Sequence, residues 1–173
     1  ETRFVSRGGL KLEGALRVTG LEVSNRACLD VGQSTGGFTD CLLQHGATRV
    51  TGIDVGHGQL HPQLRADSRV RCIEHCNARE LTLAQLGQAQ GFDLIVADVS
   101  FISLTLILPA LKPLMSKSGQ MLLLVKPQFE LQPQQIGKGG IVRDEALYPV
   151  VEQRLRQCCD ELGLVVMAWF DSP

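Results

Sequence analysis

The sequence predicts an α/β fold: a doubly wound, mostly parallel sheet with helices on both faces. Three observations carry that prediction. Short segments rich in Val, Ile and Leu recur at 27–31, 49–54, 70–74, 92–98, 120–125 and 164–170. They are mostly continuous rather than alternating, as strands buried on both faces are. Helix-like stretches at 38–45, 81–86, 104–114 and 144–162 stand between them, and such alternation builds βαβ units.

Two segments depart from the rhythm. Residues 1–26 form a basic N-terminal segment with Arg3, Arg7, Lys11, Arg17 and Arg26 against Glu1, Glu13 and Glu22. A short helix over 11–17, entered through Gly8-Gly9, is expected to pack on the domain formed by 27–173. The other segment, 127–143, holds Gly137, Gly139, Gly140 and two prolines. It is longer than an ordinary connection, and long loops in compact domains are commonly functional.

Composition narrows the class. With 173 residues, 44% hydrophobic and 20% charged, and a mean hydropathy of +0.07, the chain suits one packed domain rather than a disordered one. No apolar run approaches the roughly 18 residues of a membrane span, and no membrane partner is expected. Glu1-Thr-Arg-Phe-Val5 shows no signal-peptide pattern. The six cysteines sit mostly in apolar runs, which suits reduced thiols and a cytoplasmic protein better than a disulfide framework. Seventeen basic and 18 acidic residues give a net charge of -1, so any nucleic-acid contact must be local.

The most informative stretch is Cys28-Leu-Asp-Val-Gly-Gln-Ser-Thr-Gly-Gly-Phe38. A strand ends on Asp30; a loop with Gly32, Ser34, Gly36 and Gly37 follows; a helix begins at Phe38. Open α/β sheets bind ligands at this edge. The spacing G-x-x-x-G-G matches neither the dinucleotide fingerprint nor a P-loop. Asp54 ends the next strand, about 20 residues beyond the loop, where an acid can accept from a ribose diol. Asn77, after the third strand, offers an amide to an adenine edge. These features point to an adenosine-containing ligand without a pyrophosphate, which S-adenosylmethionine satisfies and NAD does not.

Asp98 ends the fourth strand and Lys126 the fifth. A charge at the tip of an apolar strand is costly unless paired. On neighbouring strands the two would meet beside the glycine loop and could orient and deprotonate a hydroxyl. A Lys works as a base only where its surroundings favour the neutral amine. A nearby sulfonium or a second ammonium does this, and Lys11 is the candidate for the latter.

Taken together, Arg7-Gly-Gly-Leu-Lys11, Asp30-Val-Gly-Gln-Ser-Thr-Gly-Gly-Phe-Thr39, Asp98-Val-Ser-Phe-Ile-Ser103, Lys126-Pro-Gln-Phe-Glu130 and Lys138-Gly-Gly-Ile-Val-Arg-Asp144 resemble the FtsJ-like RNA ribose 2′-O-methyltransferases, in particular the hemolysin A (TlyA) branch. The resemblance runs through nearly the whole chain, in order. It implies a Rossmann-like, class I S-adenosylmethionine-dependent methyltransferase. It also implies a Lys-Asp-Lys-Glu tetrad whose first three members map onto Lys11, Asp98 and Lys126. Cofactor contacts would map onto Gly36, Gly37, Phe38, Asp54, Asn77 and Asp98, joined by Asp30, Gly32 and Ser34 of the loop. Position 77 is Asn where the family often has an acid. The family's Gly-Asn-x-Glu segment would begin at Asp171-Ser172-Pro173, so a truncated last strand is expected, without the tetrad's Glu or an N-terminal S4-like RNA-binding domain.

The resemblance implies methyl transfer to a ribose 2′-OH of RNA, with ribosomal RNA the expected substrate. Arg3, Arg7, Lys138 and Arg143 are the candidate phosphate contacts. A catalytically silent binding module and a cytolysin are the rival readings; intact Lys11, Asp98 and Lys126 favour the enzyme, and no amphipathic membrane-lying helix favours the cytolysin. His57, His61, Cys72, His75 and Cys76 lack zinc-hook spacing, and no metal is expected. Trp169 and Phe170 read as core, as does one of Cys158-Cys159.

Overall fold

The computed structural model describes residues 3–131 and 145–173. Five parallel strands make one sheet: β1 Ala27–Val31, β2 Arg49–Ile53, β3 Val70–Ile73, β4 Phe92–Ala97 and β5 Met115–Leu123, in the order β3-β2-β1-β4-β5. The chain winds outward from β1 in both directions. Loops leaving β1 and β4 therefore part at the carboxyl edge, which is where a crevice opens in such sheets.

Successive residues along each strand feed opposite faces. Cys28, Val50, Leu94 and Val96 meet Leu12 and Leu16 of α1 (Gly8–Thr19) and Phe38 and Leu42 of α2 (Gly37–Gln44). Leu64 of the single turn α3 (Pro62–Arg65) joins the same face. Leu29, Ile53, Ile95 and Ala97 meet Ile107, Leu108 and Leu111 of α4 (Leu104–Leu111) and Val151 and Leu155 of α5 (Tyr148–Glu161). An apolar run such as Leu94–Ala97 thus serves two cores, the physical reason it does not alternate in polarity. Phe4, Leu12, Leu16 and Val23 bury the N-terminal segment into the first of these cores.

Four expectations on the elements are corrected. The short helix over 11–17 is longer, starting at Gly8 and ending at Thr19. β5 begins earlier, at Met115, and its pairing with β4 shifts register between Phe92 and Leu94. Residues 81–86 form turns rather than a helix, after a 3-10 turn at Ala78–Glu80. Thr82 and Gln85 exchange side-chain-to-backbone bonds there, local bonds that compete with a continuing helix, while Leu81 and Leu86 still reach the core.

Residues 164–170 pair with no strand among those described. Exposure alternates only over its first residues, where Val165 and Met167 face solvent and Leu164 packs inward; Ala168 and Trp169 are then exposed in succession. It leads away from the α5 face, and Pro173 ends against Gly14 of α1, on the other face of the sheet. Trp169 is partly exposed under the Arg156 guanidinium rather than in the core. Cys158 and Cys159 both pack against the core edge.

Candidate active site

The glycine loop is pinned between the ends of its neighbours. Gly32 and Gln33 N–H groups donate to Ile53 O of β2 at 2.9 and 3.0 Å, and the Asp98 N–H donates to Val31 O at 3.0 Å. Gly32 has φ +82°, and a Cβ there would collide with the Asp98 carbonyl oxygen. The loop thus approaches the end of β4 as closely as backbones allow. Above it lies a crevice of about 110 Å³ lined by Ser6, Gly8, Gly32, Gln33, Ser34, Thr35, Gly37, Phe38 and Asp98. Both flanks belong to helix starts, those of α1 and α2. The first N–H groups of α2, from Gly37 on, have no acceptor within the helix.

Beneath the loop, Asp30 is fully buried. Thr39 Oγ1 donates to its Oδ2 at 2.7 Å, and Gln33 Nε2 donates to Thr39 Oγ1 at 2.9 Å. Asp30 Oδ1 and Gln33 Oε1 have no donor. Burial pushes the Asp30 carboxyl up to about 7; the Thr39 bonds oppose this, and the Asp98 and Asp54 charges add to it. Asp30 therefore supports the loop from below and does not reach the crevice.

Asp54, at the end of β2, spends both oxygens on backbone: Ser34 N–H at 2.7 Å and Gly56 N–H at 2.9 Å. Ser34 has φ +50°, so a charge-assisted bond holds the loop in a turn that side chains rarely adopt. Asn77 is exposed, and its Oδ1 accepts the Arg79 N–H at 2.9 Å. Cys76 N–H binds the Asp54 carbonyl at 2.9 Å, and the His57 and His75 rings stack 4.9 Å apart. Asp54 and Asn77 thus share one rim.

On the other side of the crevice β4 and β5 are neighbours, and their terminal charges meet. Lys126 Nζ lies 2.6 Å from Asp98 Oδ1 and donates to Ser100 Oγ at 2.9 Å. The Asp98 contact is ionic rather than directional, since Oδ1 receives no well-aligned hydrogen bond. Both side chains keep partial access to solvent, at 25% and 30%. Next to Ser100, Phe101 is 90% exposed with φ +64°, and its ring lies 5.1 Å from that of Phe129.

The structure brings together Gly32, Ser34, Gly37, Phe38, Asp98 and Lys126 around one crevice, with Asp54 behind Ser34. The other assigned residues do not line it. Gly36 does not line the crevice; its φ of +103° turns the loop, and a Cβ would strike Leu64. Asp30 lies below. Lys11 is on the exposed side of α1 and forms no ion pair with Asp98 among the described residues. Arg3 is held by the buried Glu13 carboxylate at 2.8 Å, which also gathers Arg17 and His45. Arg7 is exposed at the start of α1. Lys138 and Arg143 lie outside the described residues.

Comparison with known proteins settles the family. The FtsJ-like methyltransferase family model matches residues 4–173. The chain belongs to the FtsJ-like methyltransferase family. One relative, from Mycobacterium tuberculosis, is described as the 16S/23S rRNA (cytidine-2′-O)-methyltransferase TlyA. It is 50% identical over 94% of this chain and 60% of its own length. A second, hemolysin A of Brachyspira hyodysenteriae, is 47% identical over 84% of this chain and 60% of its own length. Among solved structures, one described as a hemolysin from Streptococcus thermophilus superposes with a TM-score of 0.95 at 44% identity, covering 100% of this chain and 62% of that one. The chain spans about 60% of the length of these curated relatives. Family and strand order give the fold as a Rossmann-like methyltransferase.

Within this FtsJ-like chain, sequence reasoning missed Ser100, Phe101 and Glu130 as parts of the site. They stand in motifs quoted for the resemblance, but nothing in their types reveals that Ser100 meets Lys126, that Phe101 is bare, or that Glu130 is buried. No group of three metal-ligating side chains is gathered among the described residues, and none of the described helices is long and apolar enough to cross a membrane. Burial pushes the Cys28 and Cys41 thiols up to about 12, keeping them protonated.

Proposed function

We propose that this chain transfers a methyl group from S-adenosylmethionine to a ribose 2′-OH of RNA, with ribosomal RNA as the substrate. The observation that carries the reading is the Lys126–Asp98–Ser100 contact at the lip of the glycine-loop crevice. FtsJ-like membership and the rRNA methyltransferase relatives support it. That substrate would put the work in the cytoplasm.

The residues present fit the cofactor. Asp98 lines the crevice and keeps 30% of its side chain open beyond the Lys126 contact, suited to a ligand that brings an ammonium or hydroxyl. The Gly37 and Phe38 amides at the start of α2, which the helix leaves without an acceptor, suit a carboxylate. Ser34 and Asp54 stand where a nucleoside's hydroxyls would come. Bound there, S-adenosylmethionine supplies an electrophilic methyl group on a sulfonium.

Lys126 is the group placed to meet the incoming hydroxyl. Its ammonium, held by Asp98 and Ser100, has N–H bonds and charge to orient the 2′-oxygen, and its amine form accepts the proton. Asp98 fixes Lys126 on one side and edges the crevice on the other, so hydroxyl and ligand are aligned by one rigid strand end. The bare Phe101 ring offers a base a stacking surface beside Lys126, and Arg7 a phosphate contact.

The test is a transfer assay with methyl-labelled S-adenosylmethionine on unmodified free ribosomal RNA and on assembled subunits, followed by digestion to nucleosides. Label in 2′-O-methyl nucleosides from either substrate is expected, and the better one defines the natural form. Label only on bases or protein, or none, contradicts the reading.

A further inference from the structure

The loop after β5 carries a buried acid for which the proposed reaction has no use. Glu130 is 5% exposed. Its Oε1 accepts the Ser103 hydroxyl at 2.7 Å and the Leu104 N–H at 3.0 Å, and its Oε2 lies 3.2 Å from the same N–H. The Arg154 guanidinium of α5 donates to its backbone carbonyl. Leu104 is the first residue of α4, so its amide is one that the helix itself leaves unpaired. Glu130 caps a helix to which it does not belong.

Capping alone does not require it. Ser103 is the N-cap of α4, and its Oγ accepts the Thr105 N–H at 3.1 Å. A buried carboxylate is costly unless its bonds repay it. What Glu130 adds is a tie between two loops, the one after β4 with Asp98 and Ser100 and the one after β5 with Lys126. The segment between Lys126 and Glu130 is a single 3-10 turn, Pro127–Phe129. That turn is held at one end by Lys126 on Asp98 and Ser100 and at the other by Glu130 on the start of α4.

We infer that Glu130 is a positioning residue for Lys126: it clamps the loop after β5 onto the N-terminus of α4 so that the ammonium meets Asp98 and Ser100. The kinetic consequence rests on the proposed methyl transfer; the clamp itself does not. Glu130 bonds to none of the residues that line the crevice, so cofactor binding is expected to be independent of it.

The experiment uses the full-length protein with S-adenosylmethionine and unmodified ribosomal RNA. Glu130→Ala is expected to lower kcat about 10- to 100-fold, the scale of a small misplacement, with cofactor affinity by calorimetry within about twofold. Glu130→Gln keeps an accepting oxygen for Ser103 and Leu104 and is expected to restore most of kcat. Glu130→Asp keeps the charge but falls one methylene short; it is expected to lose kcat as well and carries the test should Glu130→Ala fail to fold. Wild-type kcat in either shortened variant, or cofactor affinity falling in step with kcat, overturns the inference. Should the wild-type protein methylate no RNA, the proposed function fails instead. A crystal structure of Glu130→Asp then decides the clamp: Lys126 Nζ displaced from Asp98 and Ser100 supports it, and an unmoved Lys126 overturns it.

Discussion

Gly32 and Asp98 meet with no room for a side chain between them: a Cβ on Gly32 would strike the Asp98 carbonyl oxygen, and the backbone there already turns with φ +82°. The crevice floor and the acid that holds Lys126 are thus one packed unit. Gly32→Ala is expected to cost about 1–3 kcal/mol, the usual cost of strain of this kind. Thermal unfolding reads this as a fall in Tm of roughly 2–12 °C for a domain this size. A Tm equal to that of the wild type would show that the loop yields easily.

Asp30 sets a pH dependence with a definite sign. Its carboxyl rises from an ordinary 3.8 to about 7 in the folded chain, so the folded state holds the proton to higher pH than the unfolded chain does. Its contribution to stability is fully present below pH 3.8 and is lost as pH rises through about 7. Asp30→Asn cannot ionise. The stability of Asp30→Asn relative to wild type is therefore expected to rise between about pH 4 and pH 8, by at most about 4 kcal/mol. Denaturant unfolding across that range measures it, and a flat difference contradicts the buried-acid account.

The fold was largely legible because continuous apolar strands and an acid-tipped glycine loop leave few alternatives. Cys28 and Leu29, adjacent in sequence, are buried into opposite cores, which is what a continuous run in a parallel sheet means. Asp98 and Lys126 were legible too, because a charge ending an apolar strand has to find a partner. Residues 164–170 show the limit. Their continuous apolar run is that of a strand, but a strand is defined by its neighbour, and no single segment encodes which edge it meets. Gly36 and Asp30 show another: a motif fixes that the loop turns and is supported, not which of its residues line the crevice. Phe101 and Glu130 depend on exposure and burial decided by distant packing, which residue type alone does not reveal.

Asp54 reads as a ligand residue from sequence, yet in the structure it first serves Ser34 and Gly56. Asp54→Ala is expected to weaken S-adenosylmethionine binding at least tenfold, in line with loss of about 1.5–3 kcal/mol for a bond to a charged group. Asp54→Asn, with one accepting oxygen, is expected to fall between. Calorimetric titration checks the order, and equal affinity in all three proteins removes Asp54 from the site.

Phe101 is expected to trade stability for function. Phe101→Gly relieves a left-handed backbone and removes a ring that is 90% exposed. Tm is expected to hold or rise. KM for RNA is expected to increase about 5- to 150-fold if one base stack worth 1–3 kcal/mol is lost. An unchanged KM would leave the exposed ring without a role in RNA binding.

The most direct measurement of the central claim is methyl transfer by Lys126→Ala in the full-length protein, paired with calorimetry of S-adenosylmethionine binding. Lys126 lies 2.6 Å from Asp98 Oδ1 but is not among the residues lining the crevice. The account predicts a fall in kcat of at least about 100-fold, as for loss of a positioned proton-transfer group, with cofactor affinity retained. Transfer at the wild-type rate by Lys126→Ala would contradict it.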